Sequence, residues 1–132
     1  MRTAVLAPIG AVLAFAAVTV VALEGREVVV VRTFDEHGQA RGTRTWVADD
    51  GAYAWIEAAN GERLFLRQLQ QNPAVELERG GQVERCQAQV VPNPEGHEQV
   101  RQLLAQKYGW ADRWIGYLVD TSGSVAVRLA CK

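Results

Sequence analysis

Ala58-Ala-Asn-Gly-Glu-Arg-Leu-Phe-Leu-Arg-Gln-Leu-Gln-Gln-Asn-Pro-Ala-Val-Glu-Leu-Glu-Arg79 joins the end of one strand to a short amphipathic helix and then to a new strand. Leu64, Phe65, Leu66 and Leu69 form an apolar stripe near helical spacing, with Glu62, Arg63, Arg67 and Gln70 on the other side. Asn60 stands where a helix cap is expected. Asn72-Pro73 ends the helix, because the residue before proline is pushed out of the helical region and proline cannot continue the hydrogen-bond ladder. These residues predict a helix lying across a sheet, with Phe65 and Leu69 packed against it.

Strands dominate on either side. Glu27 to Phe34 is a β-branched run too short for an independent helix, and it reads as a strand buried on both faces or crossing a barrel. Residues 41–48 alternate imperfectly and end at Asp49-Asp-Gly51, a hairpin signal before a strand from Ala52 to Ala58. Beyond the central helix, Ala74–Arg79 and Gln82–Val90 flank Gly80-Gly81 as a second hairpin, with Val75, Leu77, Val83 and Ala88 as inward candidates. Pro92-Asn-Pro94 precedes a helix from Glu95 to Tyr108 with Val100, Leu103 and Leu104 as its packed stripe, closed by Gly109. A shorter aromatic-rich helix from Trp110 to Val119 and a last strand, Ser124 to Cys131, follow. Six strands, one helix between the third and fourth, and a helical pair before the sixth fit a small antiparallel barrel with helices over its open ends.

That order, and the passage around the central helix, resemble the deazaflavin-dependent nitroreductase and quinone reductase family of the flavin-binding split β-barrels. Phe65, Gln68, Leu69, Asn72 and Pro73 occupy the positions of the family's Trp-x-x-Asn-Leu-x-x-Asn-Pro run. Gly38-Gln-Ala-Arg41 is similar to the Gly-x-Pro-Arg passage that serves the phosphate end of the cofactor. The resemblance implies a mainly β, α+β fold, a six-stranded antiparallel split β-barrel, spanning nearly all of residues 27–132. It further implies a cofactor, the deazaflavin coenzyme or FMN, and hydride transfer to a quinone-like or nitro-aromatic acceptor.

The expected cofactor-binding residues are Arg32, Gly38, Arg41, Arg44, Ala58, Ala59, Asn60 and Arg63. Arginines beside backbone amides suit a phosphate, and the end of the third strand, Ala58 to Asn60, matches the place where family members face the ring system. Tyr108, Trp110, Trp114 and Tyr117 are the expected substrate side, since flat rings can enclose a planar cofactor or quinone. The alternative for Trp110 and Trp114 is plain packing on the barrel. No catalytic acid, base or nucleophile is identified: Ser122 and Ser124 lie in a turn without a nucleophile elbow, and neither histidine has a sequence partner that predicts a triad. Phe34-Asp-Glu-His37 stands where the family carries a basic loop. That departure favours a second reading, a non-catalytic split-barrel module that binds a small ligand or a protein partner.

From Thr3 to Leu23 there is no charged side chain, and Arg2 alone precedes the run. Residues 1–23 therefore read as an N-terminal membrane anchor, Ala4 to Leu23 being long enough as a helix to span about 30 Å, or as a cleavable signal with Val20 and Ala22 before the cut. A transmembrane helix with the domain on the extracytoplasmic side is the expectation. The whole chain carries a formal net charge of −1, which lacks the basic excess a nucleic-acid binder needs to displace counterions. Partners are thus a small-molecule cofactor and acceptor and the membrane, with a homodimer left open. Metal binding is not expected, because no Cys or His pair has ligand spacing. Cys86 and Cys131 fall in separate strands predicted to be the same or adjacent in space. Whether they form a disulfide or serve as two small buried hydrophobes stays open.

Overall fold

Four consecutive valines begin the first strand of the sheet, and their alternate burial shows how the sheet is used. The computed structural model of the protein describes residues 3–23 and 26–132, and the side chains of residues 8–22 and 26–132 among them. In β1 (Val28–Phe34), Val29, Val31 and Thr33 are fully buried while their neighbours are half-buried, so one face meets the core, which fits the barrel-crossing strand of the two readings rather than one buried on both faces. The further elements are β2 (Ala40–Trp46), β3 (Ala48–Asp50), β4 (Tyr53–Ala58), α2 (Leu64–Gln71), β5 (Ala74–Arg79), β6 (Gln82–Val91), α3 (Glu95–Tyr108), α4 (Trp110–Gly116) and β7 (Val125–Cys131), with α1 (Thr3–Leu23) ahead of them.

The strands form one sheet in the order β2-β1-β5-β6-β7-β4-β3, each neighbouring pair antiparallel. It curls into a half-barrel whose inner face holds the main core, with Val29, Val31, Ile56, Val75, Leu77, Val127 and Leu129 around Phe65, Leu66 and Leu69 of α2. The central helix therefore plugs the barrel as its stripe required. The exception is Leu64, which is exposed. The hydroxyl of buried Thr33 donates to Gln68 Oε1 at 2.6 Å, which satisfies it and ties α2 to β1. Asn60 does not cap α2: its Oδ1 accepts from the Glu62 N–H at 2.9 Å in a local turn, and Arg63 holds the cap position without a side-chain bond.

The outer face of β3, β4 and β7 carries a second core, in which Ala48, Trp55 and Ala126 meet Val100, Leu104 and Tyr108 of α3. Gly96 sits in the first turn of α3 because a Cβ there would lie 2.2 Å from the Val91 carbonyl oxygen, a contact no larger residue could make. Gly109, at φ +56°, ends the helix with its N–H donating to Ala105 O at 3.0 Å.

Three expectations are corrected. The sheet has seven strands rather than six, because the segment read as one strand through Ala48 breaks at buried Val47: β2 pairs with β1, whereas β3 pairs with β4. Val83 is not inward but 55% exposed near the hairpin tip. The transmembrane helix expected from Ala4 to Leu23 is overturned, since among the described residues no helix is long and apolar enough to cross a membrane. The helix instead leans on α4, where Trp114 Nε1 donates to Thr19 Oγ1 at 2.9 Å and its ring lies 5.3 Å from that of Phe15.

Cys86 and Cys131 stand directly opposite each other on adjacent strands β6 and β7 and form a disulfide, with Cα atoms 4.1 Å apart. Adjacency was legible in the sequence; the bond was not.

Candidate functional site

The open edge of the half-barrel holds a cleft of about 340 Å³. Its first wall is β2, the strand at the end of the sheet. Cross-strand partners share a face, and the register Thr33↔Arg41, Val31↔Thr43, Val29↔Thr45 turns Arg41, Thr43 and Thr45 toward the side of the main core. Arg44 and Trp46 point to the other side, yet both sets line the cleft, so it wraps around the free edge of β2. Opposite lie Glu57 and Ala59 at the end of β4, Arg63 to Phe65 at the start of α2, and Ile115, Gly116 and Val119 of α4 and the turn after it. Short β3 pairs only with Tyr53 to Trp55, which leaves the last part of β4 uncovered on that edge.

Three guanidinium groups, Arg41, Arg44 and Arg63, line this cleft, and among the described residues none is in an ion pair. Deeper in, charge is balanced differently. Arg101 of α3 donates to Glu57 Oε1 at 2.8 Å and to both oxygens of Asp112 at 2.7 and 2.6 Å. Burial by itself would lower the Arg101 pKa, but the hydrogen bond to Asp112 and the charges of Glu57 and Asp112 outweigh it, so the group is held above its ordinary value and stays protonated. Two carboxylates share this one cation, and Glu57 Oε2 is enclosed without a hydrogen-bond partner among the described residues. The cleft thus has a cationic mouth, an acidic floor, and apolar walls from Trp46, Leu64, Phe65, Ile115 and Val119.

Of the expected cofactor residues, Arg41, Arg44, Ala59 and Arg63 come together here. Arg32 does not, because it pairs with Glu78 across β1 and β5. Ala58 is buried in the barrel core, and Asn60 is engaged by Glu62. Gly38 lies in the β1–β2 turn outside the cleft, and the amides expected to cradle a phosphate beside it are already used. Asp35 Oδ1 accepts from His37 N and Gln39 N at 2.8 and 2.9 Å, and Gly38 N donates to Asp35 O. Asp35 therefore consumes those donors itself.

None of the four expected substrate-side aromatics lines the cleft. Tyr108 is buried and stacked on Trp46 at 4.2 Å, its hydroxyl donating to Glu27 O at 2.7 Å and accepting from Val47 N at 3.2 Å; burial raises its pKa above the usual 10.0. Trp110 lies under the Arg26 guanidinium, Trp114 packs on α1, and Tyr117 is 85% exposed. The aromatic residues that do reach the cleft are Phe65 and Trp46, and the sequence reading missed Trp46 as a site residue, along with Glu57, Arg101 and Asp112. Glu57 had a signal: it is the one acid in a strand whose other residues from Ala54 to Ala58 are buried. Arg101 and Asp112 had none. A second hollow, about 540 Å³, opens near Phe34, Cys86, Gln87 and Lys132 and contains none of the expected site residues.

Fold and cleft together define a half-barrel of the split-barrel type with a cationic cleft at its open edge. Solved structures with this fold include an F420 reductase, 21% identical, covering 86% of this chain and 92% of its own with a TM-score of 0.59. A conserved hypothetical protein from Mycobacterium tuberculosis is 18% identical over 89% of this chain and 79% of its own, with a TM-score of 0.62. A protein from Listeria innocua described as a pyridoxamine 5'-phosphate oxidase is 12% identical over 86% and 90%, with a TM-score of 0.60. The likeness to deazaflavin-dependent reductases read from the sequence therefore holds, at the level of the fold. No protein-family model and no curated protein matches the chain.

Proposed function

We propose that the cleft binds a flavin or deazaflavin cofactor and that the protein is a reductase acting with it on a quinone-like or nitro-aromatic acceptor. The observation that carries this is the set of arginines without an ion-pair partner among the described residues, Arg41, Arg44 and Arg63, around a cleft with apolar walls on this fold. Guanidinium groups without an acidic partner suit an anionic tail, since each can give two parallel hydrogen bonds to a phosphate. The volume lies within the roughly 300–1,000 Å³ of small-molecule sites. Trp46 and Phe65 fit a flat ring system. Such a cofactor supplies the hydride chemistry when bound, while the chain positions it and sets its electrostatics. Arg41, Arg44 and Arg63 would hold the tail, and the walls would keep water from the ring.

Titration with FMN and with the deazaflavin coenzyme, followed by tryptophan quenching, tests the reading, because Trp46 lines the cleft. Saturable quenching that weakens on Arg41→Ala supports it. Absence of binding by either compound at high micromolar concentration overturns it and leaves the non-catalytic module, which the self-satisfied turn at Asp35 favours. The disulfide supports an oxidising, extracytoplasmic location for the domain. A second copy of the chain is the further partner within this reading, checked by light scattering of the purified protein.

A further inference from the structure

We infer that Glu57 reads the head group of the ligand by accepting a hydrogen bond from a ring N–H, an inference that rests on the cofactor reading above. Glu57 lines the cleft at the end of β4, with its side chain only 12% exposed. Its Oε1 takes the bond from Arg101, whereas Oε2 has no donor among the described residues. Asp112 differs, since both of its oxygens are engaged by Arg101. A carboxylate oxygen enclosed without a donor is costly and rare in folded proteins. Replacing the acid by an apolar residue would remove that cost. Its retention in an otherwise apolar strand points to a donor that arrives from outside the chain.

Glu57 already lines the cleft, and the terminal torsion of a glutamate is soft, so its carboxylate can reorient to meet a ligand there. A carboxylate can only accept. The matching group is therefore a hydrogen-bond donor, and on the cofactor reading the ligand class is a planar heterocycle carrying an imide N–H at one end and an anionic tail at the other. The tail faces Arg41, Arg44 and Arg63, and the imide faces Glu57, which matches the cationic mouth and acidic floor of the cleft. Both flavins and deazaflavins carry such an imide. Glu57 is on this account a specificity-determining residue.

The test compares FMN with its N3-methyl analogue, in which the imide N–H is replaced, by tryptophan quenching on the full chain. Wild-type protein should bind FMN at least tenfold more tightly than the methylated compound, a comparison that needs no variant. In Glu57→Gln the amide oxygen keeps the Arg101 bond and the amide nitrogen, a donor, takes the place of Oε2. FMN binding should then weaken at least tenfold, with binding of the methylated compound little changed, so discrimination disappears. Equal affinity of wild-type protein for the two compounds, or the same discrimination in Glu57→Gln, overturns the role of Glu57 while leaving the cofactor reading intact. Failure of wild-type protein to bind either compound overturns both.

Discussion

Opening the Cys86–Cys131 disulfide should lower stability by about 4 kcal/mol, most of it through the unfolded state. The bond closes a loop with a sequence separation of 45. In the chain-entropy account, a crosslink of that span removes about 13 cal/mol/K from the unfolded ensemble, or about 4 kcal/mol at 25 °C. The native side changes less, because the β6–β7 ladder continues from Gln87↔Ala130 to Val91↔Ala126 without the bond. Cys86 also keeps its place in the core. Urea unfolding followed by tryptophan fluorescence, on oxidised protein, on dithiol-reduced protein and on Cys131→Ser, measures this. For a slope near 2 kcal/mol/M the midpoint falls by about 2 M, and the slope itself rises as the opened chain exposes more surface. A loss below about 1 kcal/mol in both reduced protein and variant would refute the reasoning. So would two reactive thiols in unreduced, denatured wild-type protein.

Leu69→Ala should cost ~2 to 5 kcal/mol in the same assay, since Leu69 is fully buried between α2 and the barrel, and a change within the scatter of surface substitutions would show that the helix does not plug the core. Glu27 and Asp49 both have lowered pKa values, chiefly through hydrogen bonds from Arg79 and, for Glu27, Lys107. Depressed carboxylates contribute stability that is complete above their ordinary values, 4.5 and 3.8, and lost as pH falls through the lower folded values. Stability should thus be flat in this respect above about pH 5 and decline below it, and Arg79→Met should flatten that acid limb in pH-dependent unfolding. Tyr108→Phe removes the acceptor for the Val47 N–H and the donor to Glu27 O, and should destabilise by about 1–3 kcal/mol without altering tyrosine-independent ligand binding. Arg41→Ala and Arg63→Ala should each weaken an anionic ligand, and the salt dependence of binding should fall with them, as read by fluorescence titration at two ionic strengths.

Local chemistry in the chain determined most of the elements. Pro92 and Pro94 before α3 and Gly109 after it mark helix ends that any tertiary setting must respect, and α3 runs over the residues expected. The stripe Phe65–Leu69 and the stop at Asn72-Pro73 placed α2, and Gly80-Gly81 placed the β5–β6 turn. These signals act within a few residues. Where pairing at long range decides, the sequence was silent: β3 separates from β2 only because its partner is β4, and nothing local distinguishes Val47 as the break. The site divides in the same way. Arg41, Arg44, Ala59 and Arg63, expected together from the sequence, do line one cleft, whereas Tyr108, Trp110 and Trp114 are spent on packing against Trp46, Arg26 and α1. The Glu57–Arg101–Asp112 cluster draws on β4, α3 and α4, and the Cys86–Cys131 bond depends on the register of β6 and β7. Separation along a chain carries no distance in space, so only the folded sheet could bring an acid of one strand to the arginine of a helix 44 residues further on.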